Sequence, residues 1–504
     1  MPANRKPVLT PVAGLDYSKP STFINDQNGF PKNMRYYKME IGKRPGLTKY
    51  GSVAISGDQV MGLGKLELST GVSYLVRTSK TKIEKYNTST LVWDSISASD
   101  FTGGNDYHFF FTNVSEEGLL IVTNGFNQLR KWTGTGNTAA LGGSPPKAKF
   151  VSYLSPYTFL AYTDDGTGFN PWNIQWSDTG NSEEWSDGNA GSALLGSEPS
   201  PIKNIMRLNE YMAVYKEHSL WLGQKVSTSD VFLFDLVLSG VGLAGSRCVA
   251  EREGYHYFMS HNDFLVWNGV RPTSIGDPVR EEVFSKINRQ RFDRCFALHV
   301  QELTEIWFYI VVVGQDWPTE IWKYNYKTGF WYMDTCNALT CALKWAKVST
   351  ESWDDDTGTW DSDLTTWDEG SSAQDWEEVI QGRDDGYTLK LDYSSVDDDG
   401  TAISGEWQSK DFTADYLEFH KRWLQLDIWA RGYGSLKAYY STDYGSSWTY
   451  ITTLTLSAAC QKFETYLDTV SDTIRFKLIS DALGETFYLR NLYPYYLRRE
   501  EKRS

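Results

Sequence analysis

The residues with the strongest claim to chemistry in this chain are carboxylates, imidazoles and thiols, and their spacing decides what each could do. Ser441-Thr442-Asp443-Tyr444-Gly445-Ser446-Ser447-Trp448 matches the Asp-box pattern S-x-D-x-G-x-x-W. A single copy reads as a β-hairpin turn whose carboxylate accepts turn N–H bonds while the Trp folds underneath. Asp354 to Asp356 and Asp397-Asp398-Asp399-Gly400 carry oxygens enough for calcium. Neither has the ligand spacing of an EF-hand or a glycine-rich calcium repeat, so both read as solvated acidic turns. The six histidines, His108, His218, His256, His261, His299 and His420, show no H-E-x-x-H spacing. His256 and His261 are the closest pair and are expected on opposite strands of one hairpin. Five cysteines, Cys248, Cys295, Cys336, Cys341 and Cys460, are an odd number without metal-ligand grouping. They indicate neither a disulfide framework nor a zinc site, and Cys336 and Cys341 read as buried thiols. No Walker A, G-x-S-x-G or G-x-G-x-x-G motif occurs, and carboxylates are too abundant for a glycosidase pair to be singled out. The chain is therefore expected not to be an enzyme, with no catalytic, cofactor or metal residue assigned and no metal needed for folding.

The elements that would position such groups are strands. Of 504 residues, 20 are Trp, 31 Tyr and 24 Phe, only 22% are charged, and 42 are Gly. That composition excludes disorder, coiled coil and long solvated helices. Strand ends of one type recur at Tyr86, Trp132, Trp176, Trp221, Trp267 and Trp322, at steps of 46, 44, 45, 46 and 55. A period near 45 is the length of one four-stranded propeller blade. The pattern predicts an all-β protein: a β-propeller of about six blades over residues 51–345, preceded by an N-terminal arm over 1–50. In the long step, Asp277 as N-cap, Pro278 at the first helical position and Val279, Val283 and Ile287 every four residues predict one short inserted helix. Strand patterns resume after Ser404, as in Trp423 to Ala430 and Thr473 to Leu478, and predict a C-terminal β-sandwich-like domain over 404–504.

Between these parts, residues 346–403 read as an acidic Trp-Asp linker or docking element. Trp353, Trp360, Trp367 and Trp376 follow one another at steps of 7, 7 and 9, each beside acidic residues. Residues 351–400 hold 17 acidic and 2 basic residues, which equals the net −15 of the whole chain; the remainder is neutral. Like charges at that density repel, so the segment is expected to be poorly ordered in an isolated subunit and to use its Trp residues as interaction anchors. No basic stripe exists to grip a phosphate backbone, which argues against sequence-reading nucleic-acid binding. An acidic surface can still face DNA as a repelling wall. The longest wholly apolar run, Ile306 to Val313, is far short of a membrane-spanning helix, and Met1 to Pro20 lacks a signal-peptide apolar core.

Gly14-Leu15-Asp16-Tyr17-Ser18, Lys32-Asn33-Met34-Arg35-Tyr36 and Gly42-Lys43-Arg44-Pro45-Gly46 resemble the opening of tail nozzle or tail-tube virion proteins of short-tailed (podovirus) phages. The helix at Gly276-Asp277-Pro278, the strands at Glu305 to Phe308 and Trp322 to Trp331, and the Trp-Asp segment are similar to that family too. The resemblance implies a homo-hexameric ring in the virion, below the portal and tail adaptor. It would be assembled in the host cytoplasm, contact tail fibre or spike proteins, and retain and then conduct double-stranded DNA without sequence-specific binding. Lys43, Arg44, Arg498 and Arg499 are the basic groups expected to pair with an acidic neighbour such as the 351–400 segment, and with the four Trp residues they form the candidate interaction set. The alternative is a carbohydrate-binding or carbohydrate-processing propeller, a lectin or receptor-binding tail protein. Nothing near Asp443 supplies the arginine cluster and tyrosine that a resemblance to sialidases would require.

Overall fold

The computed structural model describes residues 4–5, 13–24, 28–37, 40–55, 58–164, 166–226, 231–346, 377–414 and 419–498. Successive antiparallel four-stranded sheets dominate it, and we call them blades. Blade 1 is Gly62–Glu67, Ser73–Thr78, Ile83–Asn87 and Val92–Ser95; blade 2 runs from Phe110–Val114 to Ala139–Ala140 and blade 3 from Lys147–Leu154 to Gly191–Leu194. Blade 4 is Ile202–Leu208, Tyr211–Lys216, Ser219–Lys225 and Phe232–Ser239; blade 5 is Val249–Arg252, Tyr255–Met259, Phe264–Trp267 and Thr273–Ser274. Blade 6 is Phe296–Val300, Glu305–Ile310, Glu320–Asn325 and Trp331–Thr335.

The anticipated aromatics all fall on the third strand of their blades, from Tyr86 in blade 1 to Trp322 in blade 6, and all are buried. Apolar clusters lie between neighbouring blades: Leu66 and Val76 with Leu120 and Trp132, Ile121 with Val151, Trp176 with Val214, Tyr215 with Phe258, and Phe264 with Phe308. Burying both faces of each sheet against its neighbours is what makes the repeat stable.

The expectation of about six blades needs correction, because a seventh closes the ring. Leu339–Trp345, Glu378–Arg383 and Thr388–Asp392 form three of its strands, and the fourth is Gly46–Lys49, paired as Leu389 with Lys49 and Asp392 with Gly46. It packs on blade 6 through Tyr309 and Leu389 and on blade 1 through Leu75 and Trp345. Residues 346–403 are therefore not one linker: 378–392 belong to this blade, and residues 347–376 interrupt it between two paired strands, Trp345 lying opposite Glu378.

A two-sheet sandwich stands beside the ring. One sheet orders Met34–Tyr37, Glu40–Lys43, Thr486–Arg498, Lys421–Tyr433 and Gln461–Ser471; the other contains Gly29–Lys32, Gly405–Ser409, Arg475–Ser480, Ser435–Ser441 and Thr449–Thr455. Their shared core includes Met34, Ile41, Trp423, Leu436, Phe476 and Leu489. The N-terminal residues thus build the sandwich and blade 7, where the sequence suggested a separate arm. Gly29–Lys32 also runs parallel to the last strand of blade 6, Lys32 opposite Met333, so sandwich and propeller share one continuous nine-stranded sheet.

The inserted helix α1 spans Arg280–Lys286, starting later than Asp277 and Pro278 suggest. Val279, Val283 and Ile287 are buried as the pattern required. Asp277 is not the cap: Val279 and Arg280 both donate to the Gly276 carbonyl in a turn, and the Pro278 carbonyl accepts from Tyr17 N instead of a helical N–H. No described helix is long and apolar enough to cross a membrane.

Candidate functional site

The residues singled out for partner contacts divide sharply. Arg44 is 6% exposed and sits where blade 6, blade 7 and the sandwich meet. Its guanidinium donates to both carboxylate oxygens of Asp398, at 2.9 and 2.5 Å, and to the carbonyls of Pro45 and Thr335 at 3.0 and 3.1 Å. Burial disfavours its charge, but the Asp398 hydrogen bonds and the Asp398 and Asp334 carboxylates outweigh that and hold its pKa above the ordinary value. Asn33, at φ 56°, completes the junction: its amide donates to Thr335 Oγ1 and the Ser404 carbonyl, and its oxygen accepts from Thr335 N. Gly46 is required here because a Cβ would lie 2.0 Å from the Asp397 carbonyl. The Lys-Arg-Pro-Gly passage is thus an internal latch, and Arg44 does meet an acidic group of the 351–400 segment, but within its own chain.

Lys43 is buried as well, donating to the Glu485 carbonyl at 2.6 Å, and burial lowers its pKa despite Asp397 and Glu485 nearby. Neither residue is placed to meet a partner, which corrects that expectation. Arg498 ends the last strand, opposite Lys421. Trp353, Trp360, Trp367, Trp376 and Arg499 lie outside the described residues.

The acidic motifs also resolve into structure. In the Asp box, Asp443 accepts from Ser447 N (2.9 Å), Ser447 Oγ (2.5 Å) and Ser441 Oγ (2.7 Å), which lowers its pKa to about 2, with the Ser447 hydroxyl the main cause. Asp397 to Asp399 are not solvated turns: Asp398 holds Arg44, Asp397 accepts from Gly484 N, and Asp399 lies 3.4 Å from Lys49. Their oxygens are occupied by cations and N–H groups of the chain itself, the reverse of a calcium cage.

His256 and His261 do not face each other across a hairpin. His256 is fully buried between Tyr215 Oη (2.7 Å) and the Arg207 carbonyl (2.8 Å), and burial pushes its pKa down to about 4. His261 sits in the next turn and approaches His218, ring centroids 5.3 Å apart, with Glu217 beside them. Sequence reasoning missed this trio, although the repeat carried the signal. Positions 218 and 261 are 43 residues apart, close to one blade period, and occupy equivalent turns between second and third strands of blades 4 and 5.

Two cavities complete the picture. The propeller axis holds about 420 Å³, lined by first-strand residues including Gly62, Phe111, Met206, Val249, Ala297 and Cys341. A larger space of about 1410 Å³ opens at the rim beside Glu377 and Glu378, with Tyr50, Tyr86 and Tyr393 on its walls and Lys49 and Lys390 among them.

No family model and no curated protein matches the chain. Among solved structures it is similar to a streptogramin B lyase structure at 11% identity and TM-score 0.42, covering 69% of this chain and 98% of that one. It is also similar to a family 29 carbohydrate-binding module complexed with cellulohexaose, at 11% identity and TM-score 0.16, covering 19% of this chain and 63% of that one. A second module of that family matches at 13% identity and TM-score 0.15, over 19% of this chain and 70% of its own. Likenesses this weak carry no argument about activity, and the ring of blades rests on strand order and packing alone.

Proposed function

We propose that the chain is a structural subunit of the distal tail channel of a short-tailed phage, a nozzle that assembles as a ring, anchors neighbouring tail proteins and retains and then passes genomic DNA. The observation that carries this reading is the position of the Trp-Asp segment. The described residues on either side of it, Trp345 and Glu378, lie opposite each other in adjacent strands of blade 7, so both of its ends are anchored at one place on the body. The cavity beside Glu377 offers tyrosine rings, the surface on which a Trp side chain of another subunit would pack. The chain carries −15 overall and is neutral outside residues 351–400, so the body presents no net positive charge with which to hold DNA. The axial cavity is far too small for a duplex, so DNA would pass along the axis of the subunit ring and not through the propeller. Catalysis plays no part in this role.

A second reading, carbohydrate binding, is favoured by the aromatic surface of the sandwich, where Tyr444 and Tyr450 are exposed and Tyr450 packs edge-on against Tyr439. Mass photometry together with a glycan array separates the two. The nozzle reading expects a ring, alone or on the adaptor, and no glycan signal; a monomer that binds a defined glycan would replace it with the second reading.

A further inference from the structure

We propose that Glu217, His218 and His261 form a binding site for a divalent transition-metal ion of the zinc type on the face of the propeller between blades 4 and 5. One ligand atom from each residue lies within 4.8 Å of the others. Two imidazoles and a carboxylate are the donor set of borderline metals such as zinc, cobalt or nickel, whereas magnesium and calcium prefer oxygen alone.

The backbone under the site is fixed on both sides. Glu217 N donates to the Pro201 carbonyl at 3.0 Å, and Gly240 N donates to the His218 carbonyl at 2.8 Å. Across the gap, Ser260 N donates to the Asp263 carbonyl at 2.8 Å and closes the turn that carries His261. The His261 ring packs edge-on against Phe292, and its Nε2 is buried with no hydrogen-bond partner. A buried ring nitrogen without a partner costs free energy unless something supplies one.

Zinc–nitrogen bonds of roughly 2.0–2.1 Å put tetrahedral ligand atoms about 3.3 Å apart, so the trio must close by at most about 1.5 Å. His218 is exposed and can swing to do so. Lys203 is the built-in competitor: its Nζ lies 4.0 Å from Glu217 and 3.5 Å from Asp293. Three protein ligands leave one position open to water or to a group from a neighbouring molecule.

The test uses the full chain, stripped with chelator and titrated with zinc. One zinc per chain is expected after gel filtration, and His218→Ala or His261→Ala should weaken binding by at least about tenfold while melting in chelator stays unchanged. Lys203→Met should tighten zinc binding, a gain that misfolding could not produce. Cobalt(II) should give a spectrum without a thiolate charge-transfer band, which separates the site from the cysteines. No zinc retained at tenfold excess, binding indifferent to both histidines, or a thiolate band from cobalt would each overturn the proposal.

Discussion

Replacing Arg44 with Met removes the cation from the junction of propeller and sandwich while keeping most of the side-chain volume. What is left behind sets the magnitude. Asp334 keeps Lys323, but Asp398 loses both of its guanidinium hydrogen bonds, and the Thr335 and Pro45 carbonyls lose theirs. Removing one partner of a buried pair costs about 3 to 5 kcal/mol, because the remaining charge has no compensation. The side chain of Asp398 keeps 14% of its exposure, so the lower end of that range applies. Urea unfolding of the full chain should therefore show Arg44→Met destabilised by about 3 kcal/mol. Arg44→Met combined with Asp398→Leu should recover at least half of the loss, since apolar groups of similar size replace buried pairs at little cost. The double-mutant cycle should yield a coupling above about 1.5 kcal/mol. A single mutant within about 1 kcal/mol of wild type, or losses that simply add, would refute the latch and return Arg44 to the surface.

Stability should fall as pH drops from 6.5 toward 4, because unfolded histidine takes up its proton near 6.5 and buried His256 only near 4. Between those values the unfolded chain binds more protons, so the sign is destabilising, and the shift is worth up to about 3 kcal/mol. His256→Gln should flatten that part of the profile of urea midpoints; an unchanged slope would contradict it. Replacing Trp353, Trp360 and Trp367 together with Ala should leave propeller melting nearly unchanged and abolish ring assembly or tail attachment. A triple mutant that unfolds the propeller, or particles that still assemble and infect, would show that the segment is core or dispensable.

Six of the seven blades were legible because each is one contiguous stretch with a large buried aromatic on its third strand, and that aromatic fills the space between blades. The seventh was not, for two physical reasons. Its third strand, Thr388–Asp392, carries no aromatic, and its fourth strand, Gly46–Lys49, comes from far upstream near the start of the sequence. Chain closure of this kind leaves no periodic trace. The N-terminal strands are only four residues long, so pairing with the sandwich, and not local propensity, defines them. Arg44 was legible as a cation in search of an acidic partner but not as a buried one, because that partner, Asp398, lies 354 positions away. The Asp box was legible from local spacing because every one of its bonds is local. Glu217, His218 and His261 required the repeat to be read as geometry: equal phase in two blades means adjacent turns in space.

Single-particle imaging of the full 57.4 kDa chain incubated with its tail adaptor tests the central claim most directly. The nozzle reading predicts a six-fold ring seated on the adaptor, with an open axis between subunits and the rim of blade 7 at the subunit contacts. Isolated seven-bladed monomers that never join the adaptor at any concentration would contradict it.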